Sequence, residues 1–551
     1  MDNKENKKLI SIRVKDQNGD HSIEAERGRE LFLVLRENGL APLAPCGGKG
    51  KCGKCLIRLL EGELESLPDE GSFISPADRE KGLRLACRSI LTGDCHIELK
   101  RDHKQDYLIL GDESLKEEAF EDDLAIAIDI GTTTLAFSLI AINKEISLAS
   151  YSSINSQRSY GADVISRISA QRGGKASELK ELIRRDIKEG IEELINLKDI
   201  KVSHIKAIAI AGNTTMLHLF MGHDTKGLGA YPFKPHTLDL EKMTFFELFK
   251  SPEHKEEKFR DIQNIPIYLL PGFSAFVGAD ILSGVYSLAI SKKPEVSLFL
   301  DLGTNGEMVL ACKDRLLISS AAAGPAFEGG NISMGTGSIR GAVSSLIIDR
   351  EEAPAPLTVD GFKIRAKTIG DAPAVGICGS GVIETLAELV KNGIVDETGC
   401  MLESYFEEGF PIAVKADKSK VFFTQKDVRE LQLAKAAIRT GLDLLIKKSG
   451  LDYADIDRLY IAGGFGYYMN IEKAALIGLI PKELTKRTLA VGNSSLKGAA
   501  LFLREICKNG GFELERVQGE LTELRQKAKE IILANEEDFN EIYMDNIMLA
   551  P

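Results

Sequence analysis

Two stretches of the chain repeat one pattern of strands and turns, and this repeat constrains the fold most. "AIAIDIGTTTLAFSLIAINKEISLAS" begins at residue 125, and "SLFLDLGTNGEMVLACKDRLLISSA" begins at residue 297. Each has an apolar strand ending in Asp, a Gly-Thr turn, a second strand, a polar turn and a third strand. A second pair of apolar strands runs into Ala-Gly, in "IKAIAIAGNTT" from 205 and "IDRLYIAGGFG" from 456.

Helical patterns follow these strands at about 175–196, 274–291, 382–392, 425–449 and 494–507. The order βββ-αβα therefore occurs twice, which predicts an internally duplicated α/β protein. We expect its two similar lobes to face each other across a cleft, which is a common place for a ligand.

The repeated turn predicts a phosphate site. Its glycine lets the backbone approach a phosphate, and its neighbours offer hydroxyl and amide donors. One such turn alone is only a hairpin, whereas two in opposite lobes can hold a polyphosphate from both sides. Asp129 and Asp301 end the two strands as candidate catalytic residues, and Asp129 is placed to hold Mg²⁺ through water.

The glycines of "IAGGFG" lack side chains, so they leave a flat slot for a purine. The predicted nucleotide-binding residues are Gly131, Thr132, Thr133 and Thr134 in the first turn, Gly303, Thr304, Asn305, Gly306 and Glu307 in the second, and Gly463, Gly464, Phe465 and Gly466 in "IAGGFG".

Four cysteines near the N-terminus predict a metal centre. Cys46, Cys52 and Cys55 follow the spacing C-x5-C-x2-C in a glycine-rich loop, and 31 residues separate Cys55 from Cys87. Three close thiolates and one distant thiolate suit a [2Fe–2S] cluster. Zinc also takes four cysteines, but zinc ribbons usually have two C-x2-C pairs and this chain has one. Cys95 is a spare candidate ligand, and a buried or surface thiol is the preferred interpretation for it.

The residues around these cysteines indicate a small β-grasp domain. "KKLISIRVKD" and "HSIEAERG" predict a hairpin, "ELFLVLRENG" a helix, and "KCLIRLLEG" and "CHIELK" two further strands. A polar stretch follows, and its residues 101–123 carry 9 acidic and 3 basic side chains. That excess charge predicts a solvated linker.

Composition excludes some function classes. The formal net charge is −12 and the pI is about 5.4, which argues against a nucleic-acid partner. No apolar run reaches the length of a membrane span, and the N-terminus lacks the apolar core of a signal peptide. We therefore expect a cytoplasmic protein with no membrane partner.

Several motifs resemble known families. Residues 1–100 resemble a [2Fe–2S] ferredoxin domain. "DIGTTT" resembles the first phosphate motif of the actin-like ATPase superfamily (RNase H-like, ASKHA), "DLGTNGE" resembles its second phosphate motif, and "IAGGFG" resembles its adenosine motif. The resemblance implies ATP and Mg²⁺ as cofactors beside the cluster.

The fusion of these two parts is similar to the reductive activators of corrinoid proteins. The likeness covers nearly the whole chain and extends to "NSQRSYGADVISRI", "AGNTTMLHLF", "AAAGPAFEGGNISMGTGSIRG" and "GICGSG". The C-terminal half has no second cluster motif, unlike the methanogen branch. The resemblance implies ATP-dependent reduction of cob(II)alamin to cob(I)alamin on a corrinoid methyl-carrier protein. An upstream low-potential electron donor is also implied, and a homodimer is left open.

Two alternatives remain at this point. One is an ATP-driven electron donor to another low-potential enzyme, and the other is a non-enzymatic interaction protein that senses nucleotide and redox state. The expected division is a ferredoxin-type domain at 1–100, an acidic linker at 101–124, a first ATPase lobe at 125–295 with a middle domain at about 125–206, and a second lobe at 296–551.

Two further segments have competing interpretations. Residues 318–338 are either a loop that closes the second lobe or a surface that contacts the corrinoid, with Ser319 or Ser320 as oxygen donors. Asp163 and Arg167 lie one helical turn apart, and the preferred interpretation is an ion pair on the surface or between lobes.

Overall fold

A computed structural model describes residues 9–549 except for 17–18, 39, 43–47, 49, 51–52, 54, 69, 71–72, 75, 100–122, 145, 199, 250–256, 351–354, 465–468 and 508–512. The predicted linker at 101–124 lies outside the described residues apart from Asp123 and Leu124. The described chain forms one small N-terminal sheet, two six-stranded sheets of matching topology, and a four-stranded sheet with a separate hairpin.

The N-terminal residues form the predicted β-grasp. Its strands lie in the order β2-β1-β5-β3-β4, and helix α1 buries its apolar face against them. The elements are β1 Leu9–Asp16, β2 Gly19–Glu26, α1 Leu31–Glu37, β3 Leu56–Ser66, α2 Pro76–Glu80, β4 Leu83–Leu85 and β5 Ser89–Leu99.

The first lobe is built on a sheet with the order β10-β11-β9-β6-β7-β8. Strands β6, β7 and β8 are antiparallel neighbours, while β9 and β11 continue the sheet in parallel with β6. The elements are β6 Leu124–Ile130, β7 Thr134–Ala141, β8 Ser147–Ile154, α3 Val164–Ala170, α4 Ala176–Lys198, β9 Ile205–Gly212, α5 Thr214–Met221, β10 Glu241–Thr244, α6 Phe245–Phe249, β11 Pro266–Leu269 and α7 Ala279–Leu288.

The second lobe repeats this topology with the order β22-β21-β12-β13-β14-β23. The elements are β12 Ser297–Leu302, β13 Gly306–Cys312, β14 Arg315–Ala321, β15 Ala342–Asp349, β16 Leu357–Val359, β17 Phe362–Thr368, β18 Gly376–Ile377, α8 Gly379–Lys391, α9 Glu403–Phe406, β19 Phe410–Val414, β20 Lys420–Phe423, α10 Gln425–Ser449, β21 Arg458–Ala462, α11 Ile471–Leu476, β22 Thr488–Gly492, α12 Ser494–Ile506, α13 Leu514–Lys527, β23 Ala528–Glu530 and α14 Phe539–Ile547.

The predicted duplication is therefore confirmed. β12 pairs antiparallel with β13 and parallel with β21, as β6 pairs with β7 and β9. Helix α10 occupies the predicted range 425–449. The second lobe also carries an insertion that the repeat did not predict, a four-stranded sheet (β15 to β18) and the β19–β20 hairpin.

The size of the residues at alternating positions of strand β6 determines which helices pack on each face of the first sheet. Strand β6 reads "LAIAIDI", so its alanines share one face and its isoleucines share the other. The isoleucines pack in the cluster with helix α4, and the alanines pack in the cluster with helices α7 and α12. Phe299 and Val309 of the second sheet join the same cluster, so α7 and α12 lie between the two sheets.

The two interlobe helices approach each other closely because glycines lie at their contact. A Cβ atom added at Gly498 of α12 would lie 2.1 Å from the Ser283 carbonyl oxygen of α7. One added at Gly284 of α7 would lie 2.7 Å from the Ser494 hydroxyl oxygen. The pairing of α7 with α12 therefore depends on the missing side chains.

Substituting Gly498→Ala tests this contact. The new methyl group forces the helices apart, and overpacking of this kind costs about 1–3 kcal/mol. We expect a lower thermal unfolding midpoint for the ATPase lobes, measured by differential scanning calorimetry. The control is Gly519→Ala on α13, where an added Cβ has open space and the helix gains about 1 kcal/mol of propensity. Equal midpoints in the two variants would contradict the close packing.

Candidate functional site

The two repeated turns follow corresponding central strands of the lobe sheets, β6 and β12. In the first turn, the Gly131 N–H donates to the Thr134 carbonyl oxygen at 3.0 Å. A Cβ at Gly131 would lie 2.5 Å from that oxygen, so this turn requires glycine. In the second, the Gly303 N–H donates to the Asn305 carbonyl oxygen at 2.9 Å. Both predicted turns are thus tight backbone turns.

Glu328 joins the two turns. The Thr133 hydroxyl of the first lobe donates to Glu328 Oε2 at 2.8 Å, and the Thr304 hydroxyl of the second lobe donates to the same oxygen at 3.2 Å. Glu328 ends a short 3₁₀ helix, Pro325–Glu328, and is held there by the left-handed Gly329 (φ 74°). One carboxylate thus spans the cleft between the lobes.

Asp129 makes a second contact across the cleft. Its Oδ1 accepts from the Ser495 hydroxyl and its Oδ2 from the Asn493 side-chain amide, both at 2.8 Å. Asn493 is also the N-cap of α12, because its Oδ1 accepts from the Leu496 N–H. The start of the interlobe helix therefore meets the end of strand β6.

Further acidic groups are buried beside Asp129. Burial, then the charge of Asp129, raises the pKa of Asp280, in the first turn of α7, to about 7. Burial, then Asp280, Asp129 and Glu328, raises the pKa of Asp301 well above its usual value. Burial, then Asp280 and Asp301, does the same for Glu307. Ionised carboxylates this close repel one another in a low dielectric, so the cleft favours a cation or protons.

The described residues do not form a metal cage from protein side chains alone, because no three acidic, histidine or cysteine groups among them converge closely enough. Mg²⁺ usually keeps several waters and binds through one or two carboxylates plus phosphate oxygens. The acidic cluster is suited to that mode of binding.

Residues behind the first turn fix its shape. The Asn155 side-chain amide donates to the Gly131 carbonyl oxygen at 2.9 Å, and the Asn213 amide donates to the Thr132 hydroxyl at 3.0 Å. Arg167 donates to the Thr132 carbonyl oxygen and is fully buried. The preferred interpretation of Arg167 as half of an ion pair was therefore wrong, and Asp163 instead caps helix α3 through the Ser166 N–H.

The remaining predicted residues lie around the two turns. Thr134 begins β7, and Asn305 hydrogen-bonds Glu307, which lowers the pKa of that carboxyl against the larger effect of burial. Gly306 packs against α10, where an added Cβ would lie 2.7 Å from an Ile438 side-chain carbon.

The predicted adenosine motif begins beside Asp301. Gly463 is left-handed (φ 103°), and a Cβ there would lie 2.3 Å from the Leu302 carbonyl oxygen and 3.2 Å from Asp301 Oδ1. A Cβ at Gly464 would meet no atom within 4 Å, so the space above it is open. Phe465 and Gly466 lie outside the described residues.

The N-terminal domain brings two of the four predicted cluster ligands together. Cys55 and Cys87 are buried, and their Sγ atoms lie 3.1 Å apart. That separation is too long for a disulfide, whose sulfurs lie about 2.05 Å apart, and is near the ~3.7 Å between thiolates on one tetrahedral metal. The pair therefore fits a metal centre. Cys46 and Cys52 lie outside the described residues.

Two neighbouring features bear on the choice of ligands. Gly48, Gly50 and Gly53 of the cysteine loop are left-handed, which agrees with the predicted need for glycine there. Cys95 lies in β5, where burial, then the charge of Asp94, raises the pKa of its thiol to about 11. Its environment therefore disfavours the thiolate that a metal requires.

Sequence reasoning missed the residues that close the cleft: Glu328, Asp280, Asn493 and Ser495. Glu328 did carry a signal, since it is the one charged residue of the sequence between Arg315 and Arg340. The sequence instead suggested Ser319 or Ser320 of this segment as an oxygen donor to the corrinoid. Ser319 is fully buried in β14 and donates to the Ile531 carbonyl oxygen at 2.8 Å, so that residue was a wrong choice for a surface contact. Ser320 is half-buried, and its role stays a prediction.

Among the described helices, none is both long and apolar enough to cross a membrane.

Comparison with protein-family models matches three consecutive parts of the chain. Residues 14–92 match the 2Fe-2S iron-sulfur cluster binding domain. Residues 124–293 match the RACo middle region, and residues 295–551 match the C-terminal domain of RACo, the ASKHA domain. The predicted fold class, a ferredoxin domain followed by an actin-like ATPase fold, is confirmed.

Two curated relatives and one solved structure are similar over most of the chain. The corrinoid activation enzyme RamQ of Eubacterium limosum is 30% identical over 446 residues, which is 77% of this chain and 70% of the relative. The [Co(II) methylated amine-specific corrinoid protein] reductase of Methanosarcina barkeri is 31% identical over 63% of each chain. The structure of a reductive activator for corrinoid,iron-sulfur protein is 27% identical, covers 98% of each chain and superimposes with a TM-score of 0.68.

The family that the sequence motifs indicated is thus confirmed by the domain matches, by the relatives and by the superimposed structure together. Its members are named as enzymes. This chain belongs to the family of reductive activators of corrinoid proteins.

Proposed function

We propose that the chain is an ATP-dependent reductive activator. It transfers one electron, taken from an upstream low-potential donor, to inactive cob(II)alamin on a corrinoid methyl-carrier protein and so produces cob(I)alamin. The proposal rests on finding two features in one chain. One is the pair of buried thiols of Cys55 and Cys87, and the other is a cleft between two lobes in which Glu328 accepts hydrogen bonds from both lobes. Relatives named for action on corrinoid proteins support the class of partner.

Cysteine thiolates at 46, 52, 55 and 87 would hold a [2Fe–2S] cluster, which supplies a one-electron carrier with a potential of about −400 mV for the plant type. Left-handed glycines such as those of the loop allow backbone N–H groups to turn towards thiolates, and such hydrogen bonds would favour the more negative, reduced state of the cluster. Cobalt(I) is strongly reducing, and each ~59 mV of shortfall in a one-electron transfer costs about tenfold in equilibrium.

ATP can offset that shortfall only if it binds one state of the protein and its partner better than another. The cleft can supply such states, because the hydrogen bonds that Thr133 and Asp129 make to the second lobe can be exchanged for bonds to a ligand. A phosphate between the turns competes with Glu328 for the Thr133 and Thr304 hydroxyls. Binding of nucleotide and position of the lobes are therefore linked.

We assign roles on this basis. Asp129 and Asp301 hold Mg²⁺ through water, the two turns hold the phosphates, and Gly463 and Gly464 flank the adenosine. The chain divides into a ferredoxin-type domain at 1–100, a linker at 101–124, and lobes at 125–295 and 296–551. The electron path and the nucleotide cleft thus lie on separate parts of the chain.

The ligand assignment predicts different results for two cysteine variants. Cys87→Ala removes a thiol whose sulfur lies 3.1 Å from Cys55 Sγ, so we expect loss of the visible cluster spectrum and of about two irons per chain. Cys95→Ala should keep both. Iron analysis, visible absorption and far-ultraviolet circular dichroism measure the cluster and the fold together. An intact spectrum in a folded Cys87→Ala protein would show that the fourth ligand is a different residue.

The division of labour predicts that cleft variants lose coupling and keep the cluster. Asp129→Ala and Asp301→Ala should slow ATP-dependent formation of cobalt(I), measured by its absorbance, by about a hundredfold or more. Dithionite should still reduce their clusters. The control is Glu515→Gln, an exposed carboxylate on α13, which should behave as the wild type. Loss of the cluster in either aspartate variant would refute the separation of the two parts.

A further inference from the structure

Helix α1 of the N-terminal domain contacts the first ATPase lobe. The Arg36 guanidinium carbon lies 4.5 Å from the centre of the Tyr160 ring, and Arg36 Nη1 donates to the Ser159 carbonyl oxygen at 3.4 Å. Arg36 also lies 5.8 Å from the ring centre of Phe32 on its own helix. Tyr160 is buried, so the guanidinium approaches a fixed aromatic surface. Desolvated cation–π contacts of this kind are stronger than exposed ones.

Complementary charges surround this contact. Lys175 and Glu178 of the lobe form an ion pair with Nζ and Oε1 2.9 Å apart. The Lys175 hydrogen bond lowers the pKa of Glu178, and Arg36 acts in the same direction. Glu178 raises the pKa of Lys175, and Glu37 of α1 acts in the same direction. Arg36 and Glu37 of α1 are therefore close enough to affect these two groups of the lobe, while Glu37 itself pairs with Arg29 of its own domain at 2.7 Å.

The contacted turn leads directly to the phosphate site. The 3₁₀ helix Ser156–Tyr160 ends at Gly161, whose carbonyl oxygen accepts from Arg167 Nε at 3.1 Å. The same guanidinium donates to the Thr132 carbonyl oxygen of the first phosphate turn, and its Nη1 donates to Gln157 Oε1 at 3.4 Å. Because the Arg167 guanidinium is planar and its donors point in fixed directions, it holds these acceptors in one position relative to one another.

Helix α1 also contacts the cysteine loop, through the residue one turn before Arg36. A Cβ added at Gly48, between Cys46 and Cys52, would lie 2.5 Å from the Phe32 ring. Phe32 is fully buried and lies one helical turn before Arg36. A single helix thus touches the loop that carries the cluster cysteines and the turn that leads to the phosphate site.

We propose that the Ser159–Tyr160 turn is a docking surface for the chain's own N-terminal domain, held by Arg36, and that nucleotide bound at the Thr132 turn strengthens this docking through Arg167. The coupling rests on the proposed nucleotide site, whereas the docking does not. Because linkage is reciprocal, the docked domain strengthens nucleotide binding by the same factor. The contacts of Arg36 described above are one cation–π contact and one hydrogen bond, so we expect docking to be reversible, which lets the domain also leave to reach a partner.

The proposal assigns Arg167 as a positioning residue, since it acts on nucleotide through the Thr132 backbone. It predicts that an Arg36 variant weakens nucleotide binding although Arg36 belongs to the N-terminal domain. Loss of a cation–π contact and one hydrogen bond limits the change to about tenfold.

The experiment uses the full chain with its cluster and compares wild type, Arg36→Ala and Arg13→Ala. Arg13 is an exposed arginine on β1 that pairs with Glu61 within the same domain, so it is a matched control. Hydrogen–deuterium exchange of residues 31–37 and 156–161 measures docking, with and without the β,γ-imido analogue of ATP and Mg²⁺. Calorimetry measures the Kd of that analogue.

Of the two arginine variants, we expect only Arg36→Ala to raise hydrogen exchange in residues 156–161 in the absence of nucleotide. We also expect it to raise the Kd of the ATP analogue about three- to tenfold. The analogue should protect residues 31–37 in the wild type and in Arg13→Ala. Tyr160→Phe, which keeps the ring, should behave as the wild type, while Tyr160→Leu should resemble Arg36→Ala.

Unchanged exchange in Arg36→Ala would overturn the docking. Changed exchange with an unchanged Kd would overturn the coupling. A wild type that binds no analogue would refute the proposed nucleotide site and the coupling with it, while exchange measured without nucleotide would still decide the docking.

Discussion

The structure depends on how buried negative charge is accommodated between the two lobes. Asp129, Asp280, Asp301 and Glu307 share one cleft, and burial raises the pKa of each. Neutral donors supply part of the compensation, since Asn493 and Ser495 both donate to Asp129. The helices supply another part, because α7 and α12 both begin at this cleft and direct the positive ends of their dipoles towards it.

That arrangement connects packing to function. Helices α7 and α12 can start at the cleft only because they pack closely between the two sheets, against alanine faces and at Gly284 and Gly498. A small change in the angle between the lobes would move Asn493 and Ser495 of the second lobe relative to Asp129 of the first. The protonation of the cleft carboxylates and the angle between the lobes are consequently coupled. Under the proposed function, a nucleotide with its Mg²⁺ would act on that coupled equilibrium by neutralising carboxylates and occupying both turns.

Local sequence was sufficient for the features that repeat. The apolar strand, the Asp at its end and the Gly-Thr turn after it occur at both β6 and β12, and this repeat predicted the lobes and the turns. The short strands of the insertion, such as Gly376–Ile377, are too brief to show a period. Glu328 and Asp280 were missed because their roles arise from convergence of distant segments. The interpretation of Arg167 was wrong because two of its four acceptors are backbone carbonyls, which leave no mark in a sequence, and the other two are the uncharged side chains of Gln157 and Met216.

The most direct test of the account measures phosphate release by the full chain alone, with the cobalt(II) form of its corrinoid partner, and with the methylated form. An activator that senses the inactive state should hydrolyse ATP slowly alone, faster with the cobalt(II) partner, and less fast with the methylated partner, which needs no electron. If the partner's state shifts the lobes, then ATP and partner must influence each other's binding. Three equal rates would contradict the claim that the cleft couples ATP to corrinoid reduction.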